Sequence, residues 1–181
     1  MDFESKITSR EISQLLWERE MTLGTAESCT GGRVAEAIIA VPGASKYFKG
    51  GIVSYADEIK ERILGVDRQL IEEKTAVCED VAVAMVKGAC KALNTDYAIA
   101  VTGIAGPGGG SAEIPVGTIW LACGNEDNVA TCQLTEDNGR DKNLSEATHT
   151  ALEMFLEFLK GEEKVSEDNV EPQGEVKWGS N

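Results

Sequence analysis

The stretch 98–118, Ala-Ile-Ala-Val-Thr-Gly-Ile-Ala-Gly-Pro-Gly-Gly-Gly-Ser-Ala-Glu-Ile-Pro-Val-Gly-Thr, sets the tightest limit on how this chain can fold. The apolar run from Ala98 to Val101 reads as a buried strand. It ends at Thr102-Gly103 and opens into a loop with glycine at 103, 106, 108, 109 and 110. Pro115 then leads into a second apolar run, Val116 to Cys123. Glycine has no Cβ and lets backbone approach a ligand closely. Such a junction suits the floor of a phosphate or sugar site, and it suits a plain hairpin loop equally well.

A second junction of this kind lies upstream. Met21 to Thr25 reads as a strand that runs into Ala-Glu-Ser-Cys-Thr-Gly-Gly (26–32) and then a helical stretch, Arg33 to Ala40. Helix N-termini present free N–H groups to anions. Neither junction is a Walker A loop, since no Gly-Lys-Ser/Thr ending follows the glycines, and the dinucleotide fingerprint spacing is absent. A capping-box pattern at Thr8 to Glu11 opens a first helix carrying Ile12, Leu15 and Leu16. Further along come a strand at 51–55, a short helix from Asp57 to Leu64 stopped by Gly65, and a helix from Val81 to Leu93. A strand around 129–134 and a last helix to about Lys160 complete the pattern. Helices alternating with strands, some paired as hairpins, predict an α/β fold: a layered α/β/α domain with a mixed sheet and Gly-rich strand-to-loop junctions.

Residues 1–160 are thus expected to form one domain. Residues 161–181 form an acidic segment with few apolar side chains, expected to be disordered. The formal charge of −14 argues against duplex nucleic acid as a partner. Five cysteines (29, 78, 90, 123, 132) show no CxxC or Cys/His ligand spacing, so neither a disulfide framework nor a metal site is expected. The N-terminus lacks signal-peptide character and no apolar run reaches membrane-spanning length. A cytoplasmic protein without membrane contact is the expectation.

The sole histidine, His149, shares the apolar stripe of the last helix with Leu152 and Leu156 and reads as a core or boundary residue. Without histidine, a serine nucleophile can use lysine as its base. Lys60 lies near a helix N-terminus, where the dipole disfavours an added positive charge, and shares a face with Ile63 and Leu64. Read otherwise, it is a surface lysine paired with Asp57 or Glu61. Candidate serines are Ser28, Ser45 and Ser54. Ser28 suits a phosphate contact or a helix cap, and Ser45 follows a Pro-Gly turn. Tyr55 ends its strand just before the Lys60 helix.

Assembled, these residues resemble the CinA C-terminal domain family, which includes nicotinamide mononucleotide (NMN) amidohydrolases. The resemblance is carried by Thr25-Ala-Glu-Ser-Cys-Thr-Gly-Gly32, by Gly51-Ile-Val-Ser-Tyr-Ala-Asp-Glu-Ile-Lys60 with Leu64-Gly65-Val66, and by Val101-Thr-Gly-Ile-Ala-Gly-Pro-Gly-Gly-Gly110 with Pro115-Val-Gly-Thr118. It extends over most of 8–160 and leaves out the separate N-terminal domain of longer members. It implies hydrolysis of the NMN carboxamide to nicotinic acid mononucleotide and ammonia, with no metal or cofactor in this domain. The same resemblance implies Ser45 as nucleophile, Lys60 as general base and Tyr55 as a helper in proton transfer. Ser28, Thr30, Gly31, Gly32, Thr102, Gly103, Ala105 and Gly106 would hold the nucleotide, and Arg140, in Asn138-Gly139-Arg140, would contact its phosphate. Leu144 stands where members carry a second arginine. Valine at Gly103 or Gly106 is expected to weaken binding before turnover. The resemblance also points to a homo-oligomer. The competing expectation is a non-catalytic nucleotide-binding or interaction module of the same fold.

Overall fold

The computed structural model describes residues 3–168. Five strands form one mixed sheet in the order β2-β1-β3-β4-β5. They are β1 (Leu23–Glu27), β2 (Phe48–Val53), β3 (Tyr97–Gly103), β4 (Ile119–Gly124) and β5 (Val129–Leu134). β1 runs parallel to both β2 and β3, whereas β3–β4 and β4–β5 are antiparallel. The helices are α1 (Phe3–Glu18), α2 (Arg33–Ile39), α3 (Asp57–Leu64), α4 (Arg68–Lys74), α5 (Glu79–Leu93) and α6 (Arg140–Asp168). The expected α/β/α layering is present. Sequence reasoning left out α4, a short charged helix that presents one buried residue, Ile71, to the core. α6 continues to Asp168, past the expected end at Lys160. Residues 169–181 of the acidic segment lie outside the described residues.

Alternation along β3 shows how the layers are built. Ile99 and Val101 enter one core with Ile12, Leu16, Ile38 and Phe155 of α1, α2 and α6. Ala98 and Ala100 point the other way and meet Val81, Met85 and Val86 of α5. Successive side chains of a strand face opposite layers, and alanines on the second face let α5 lie close to the sheet. α5 also lies close to α3. A Cβ built on Gly88 would sit 1.9 Å from the carbonyl oxygen of Leu64. Backbone cannot yield there as a side-chain tip would. Gly88→Ala is therefore expected to cost about 2–3 kcal/mol, read as a lower urea midpoint with an unchanged slope.

The path of the chain fixes where a site can form. From β1 it passes through α2 on one face to β2, then returns through α3–α5 on the other face to β3, on the far side of β1. Connections leaving to opposite faces open a crevice beyond the carboxyl ends of the parallel strands. Ser28, Ser54 and the Gly103 loop all emerge at that edge. Among the described residues no helix is long and apolar enough to cross a membrane.

Candidate active site

A cleft of about 260 Å³ lies at this edge, and its walls include Ser28, Cys29, Tyr55, Asp57, Lys60 and Arg140. Lys60 is its centre. The residue is 1% exposed, held by α3 against the end of β1. Its Nζ donates to the Ser54 carbonyl at 2.9 Å, to Ser28 Oγ at 3.2 Å and to Asp57 Oδ1 at 3.3 Å. A longer contact reaches the Tyr55 carbonyl at 3.4 Å. The surface placement read as the alternative for Lys60 does not hold, since the residue is buried beside a serine, although it does pair with Asp57.

That serine is Ser28. Ser45 lies in a one-turn 3-10 helix, Ala44–Lys46, directly before β2. It is exposed and sits at the opposite edge of the sheet, since Phe48 pairs with Leu23 while Val53 pairs with Glu27. The length of a strand, roughly 15 Å, separates the two ends. Ser45 therefore lies out of reach of Lys60 within this chain, which corrects the expected pairing. The Gly-Ala-Ser motif at 43–45 is adjacent in sequence to the strand that leads to Lys60, but it feeds that strand from its far end.

The turn after Ser28 also differs from expectation. Glu27 is buried, and its carboxylate accepts from the backbone N–H groups of Gly32, Val34 and Ala35 at 3.0, 3.1 and 2.9 Å. The free N–H groups of the α2 N-terminus, expected to greet a phosphate, are filled by the chain's own anion. Gly32 adopts φ 105°, a left-handed conformation that L side chains avoid, and this wraps the turn around Glu27. Thr30, Gly31 and Gly32 accordingly shape the turn and lie outside the cleft wall. The sequence signal for Glu27 was present: an acidic residue ending a strand, six residues before the first residue of a helix.

The Gly-rich loop forms the opposite wall, with Thr102, Gly103, Ala105 and Gly106 lining it as expected. Thr102 Oγ1 donates to the Ala76 carbonyl at 2.7 Å, bracing the loop between α4 and α5. Gly103 pairs with Ile119 of β4, and a Cβ on it would fall 2.6 Å from the Ile119 Cα. A valine at 103 would strike β4 before it met a ligand, so this glycine serves strand pairing first. Arg140, the first residue of α6, reaches over the loop and donates to the Gly106 carbonyl at 2.8 Å. Among the described residues no carboxylate pairs with it. Leu144, one turn further on, is 4% exposed and packs in the core, so its side chain contributes nothing to the cleft.

Two other groups are set apart from this chemistry. Burial pushes the Cys29 thiol up to about 11, partly offset by backbone hydrogen bonds from Cys29 and Thr30 and then by Arg140, so the thiol beside Ser28 stays protonated near neutrality. His149 lies between α1 and α6, with Nε2 3.3 Å from Glu153 and Nδ1 3.4 Å from Ser5 Oγ, and is no part of the cleft. It borders a larger hollow of about 420 Å³ that Glu4, Asp141 and Glu146 also line. Ser145, the serine on its wall, donates to the Asp141 carbonyl at 2.9 Å.

The carboxyl edge of the mixed α/β sheet thus holds a buried Ser–Lys pair faced by an arginine. Residues 5–159 match the family described as CinA C-terminal domain, and the chain belongs to that family. A CinA-like protein of Geobacter sulfurreducens is 46% identical over 148 residues, covering 82% of this chain and 36% of the relative. One from Leptospira borgpetersenii is 48% identical over 117 residues, covering 65% and 28%. The chain thus spans about a third of the length of these relatives. The crystal structure of the competence/damage inducible protein CihA from Agrobacterium tumefaciens superposes with a TM-score of 0.84. It is 36% identical, and the match covers 88% of this chain and 98% of that one.

Proposed function

We propose that this chain is an amidohydrolase that converts the carboxamide of nicotinamide mononucleotide to the carboxylate, releasing ammonia, with Ser28 as nucleophile and Lys60 as general base. The observation that carries the reading is the 3.2 Å contact between Lys60 Nζ and Ser28 Oγ, both side chains being buried at the base of an open cleft. Lys60, as free amine, takes the Ser28 proton while Oγ attacks the carboxamide carbon. Backbone N–H groups of the flanking turns stabilise the oxyanion. The C–N bond breaks as Lys60 returns the proton to nitrogen, through the Tyr55 phenol at the cleft mouth, and ammonia leaves. Water then adds to the Ser28 ester with Lys60 again as base. The ester bond breaks, the carboxylate product departs and the Ser28 hydroxyl is restored.

Arg140 supports an anionic substrate. Arg140 Nη1 donates to the Gly106 carbonyl, and in a chain of net charge −14 a guanidinium with no acidic partner among the described residues offers a charge-assisted site for phosphate. The test is ammonia release from NMN, with free nicotinamide and glutamine as controls. Release from NMN well above both controls is expected. Binding of NMN with no ammonia would refute the reading.

A further inference from the structure

The cleft is charged unevenly, and its acidic end has no evident use in the chemistry above. Asp57 opens α3 and lines the wall. Its side chain is 54% exposed, and its ion pair is with Lys60 at 3.3 Å. Lys60 does not depend on it for placement, because the Ser54 carbonyl at 2.9 Å and the Tyr55 carbonyl at 3.4 Å hold its Nζ as well. A carboxylate beside the reacting centre opposes a developing oxyanion, so for a neutral acyl group it is a handicap. It becomes an advantage if the ring bearing the carboxamide carries a positive charge. Arg140, across the same cleft, has the opposite preference.

We propose that Asp57 is a specificity-determining residue that selects a cationic aromatic ring next to the scissile carboxamide, while Arg140 takes the substrate's anionic end. The inference rests on the Ser28–Lys60 amidohydrolase reading. On binding, the ring cation shares the Asp57 carboxylate with Lys60. The product's new carboxylate is then repelled by the same group, which favours release. Discrimination comes from the mismatch as much as from the match: an uncharged ring meets a carboxylate with nothing to offer it.

The experiment measures dissociation constants in a Ser28→Ala background, where no turnover interferes. It compares NMN with the isosteric, uncharged-ring benzamide riboside 5′-monophosphate. Adding Asp57→Asn should weaken NMN about five- to tenfold, the scale of a half-exposed charge contact, and move the neutral analogue by less than about twofold. Equal weakening of both ligands would overturn the proposal, reducing Asp57 to a shaping role, as would an unchanged NMN constant. A different failure marks the underlying reading: the unaltered chain releases no ammonia from NMN and neither ligand saturates Ser28→Ala. In that event the proposal falls with it.

Discussion

Ser28→Ala is expected to abolish ammonia release from NMN, by on the order of 10⁴-fold or more, the scale seen when a catalytic nucleophile is removed. Ser45→Ala is expected to leave it within about twofold. The contrast follows from placement. Ser28 Oγ is 3.2 Å from the buried Lys60 Nζ, whereas Ser45 is exposed at the other edge of the sheet. The fold should tolerate both changes. Losing the Ser28 hydroxyl removes one of several acceptors around Lys60 and costs about 1 kcal/mol. Steady-state assays on the two variants beside a thermal melt separate lost chemistry from lost structure.

Lys60→Met should be nearly as severe, lowering turnover about 10²–10⁴-fold, the range for a general base. Methionine keeps the length and burial of the stem without the amine. Two effects on stability then oppose each other. The cost of burying a polar amino group disappears, while the Ser54 carbonyl and Asp57 lose their donor. A net change within about 2 kcal/mol is expected, small enough for the protein to remain folded. If turnover falls while KM for NMN changes little, the lysine acts on the chemical step. A rise in KM alone would make it a binding residue.

Much of the fold was legible because its signals are local. The continuous apolar run of β3, helical spacing around Ile12 and Leu16, and Gly65 after Leu64 each report their own element. The sheet order is not local, yet it decides the site. Ser45 and Lys60 flank the same strand in sequence, 15 residues apart, and only the parallel pairing of β1 with β2 shows that the intervening strand carries them to opposite edges. Ser28, 32 residues from Lys60, becomes its neighbour because β1 and β2 end together. The anion-binding expectation for the Thr30–Gly32 turn failed for a related reason. A helix N-terminus is open only if nothing nearby fills it, and Glu27 does so from the strand before. Thr102, Gly103, Ala105, Gly106 and Arg140 do line the cleft, since the turn that follows β3 is set by its own glycines and not by strand order.

Peptide mapping by mass spectrometry after exposure to a serine-reactive fluorophosphonate tests the central claim most directly, because it asks which serine the fold has made nucleophilic without presuming a substrate. The expected result is a single adduct on the peptide containing Ser28, absent from Lys60→Met. An adduct on Ser45, or a Ser28 label that persists undiminished without Lys60, would contradict the account.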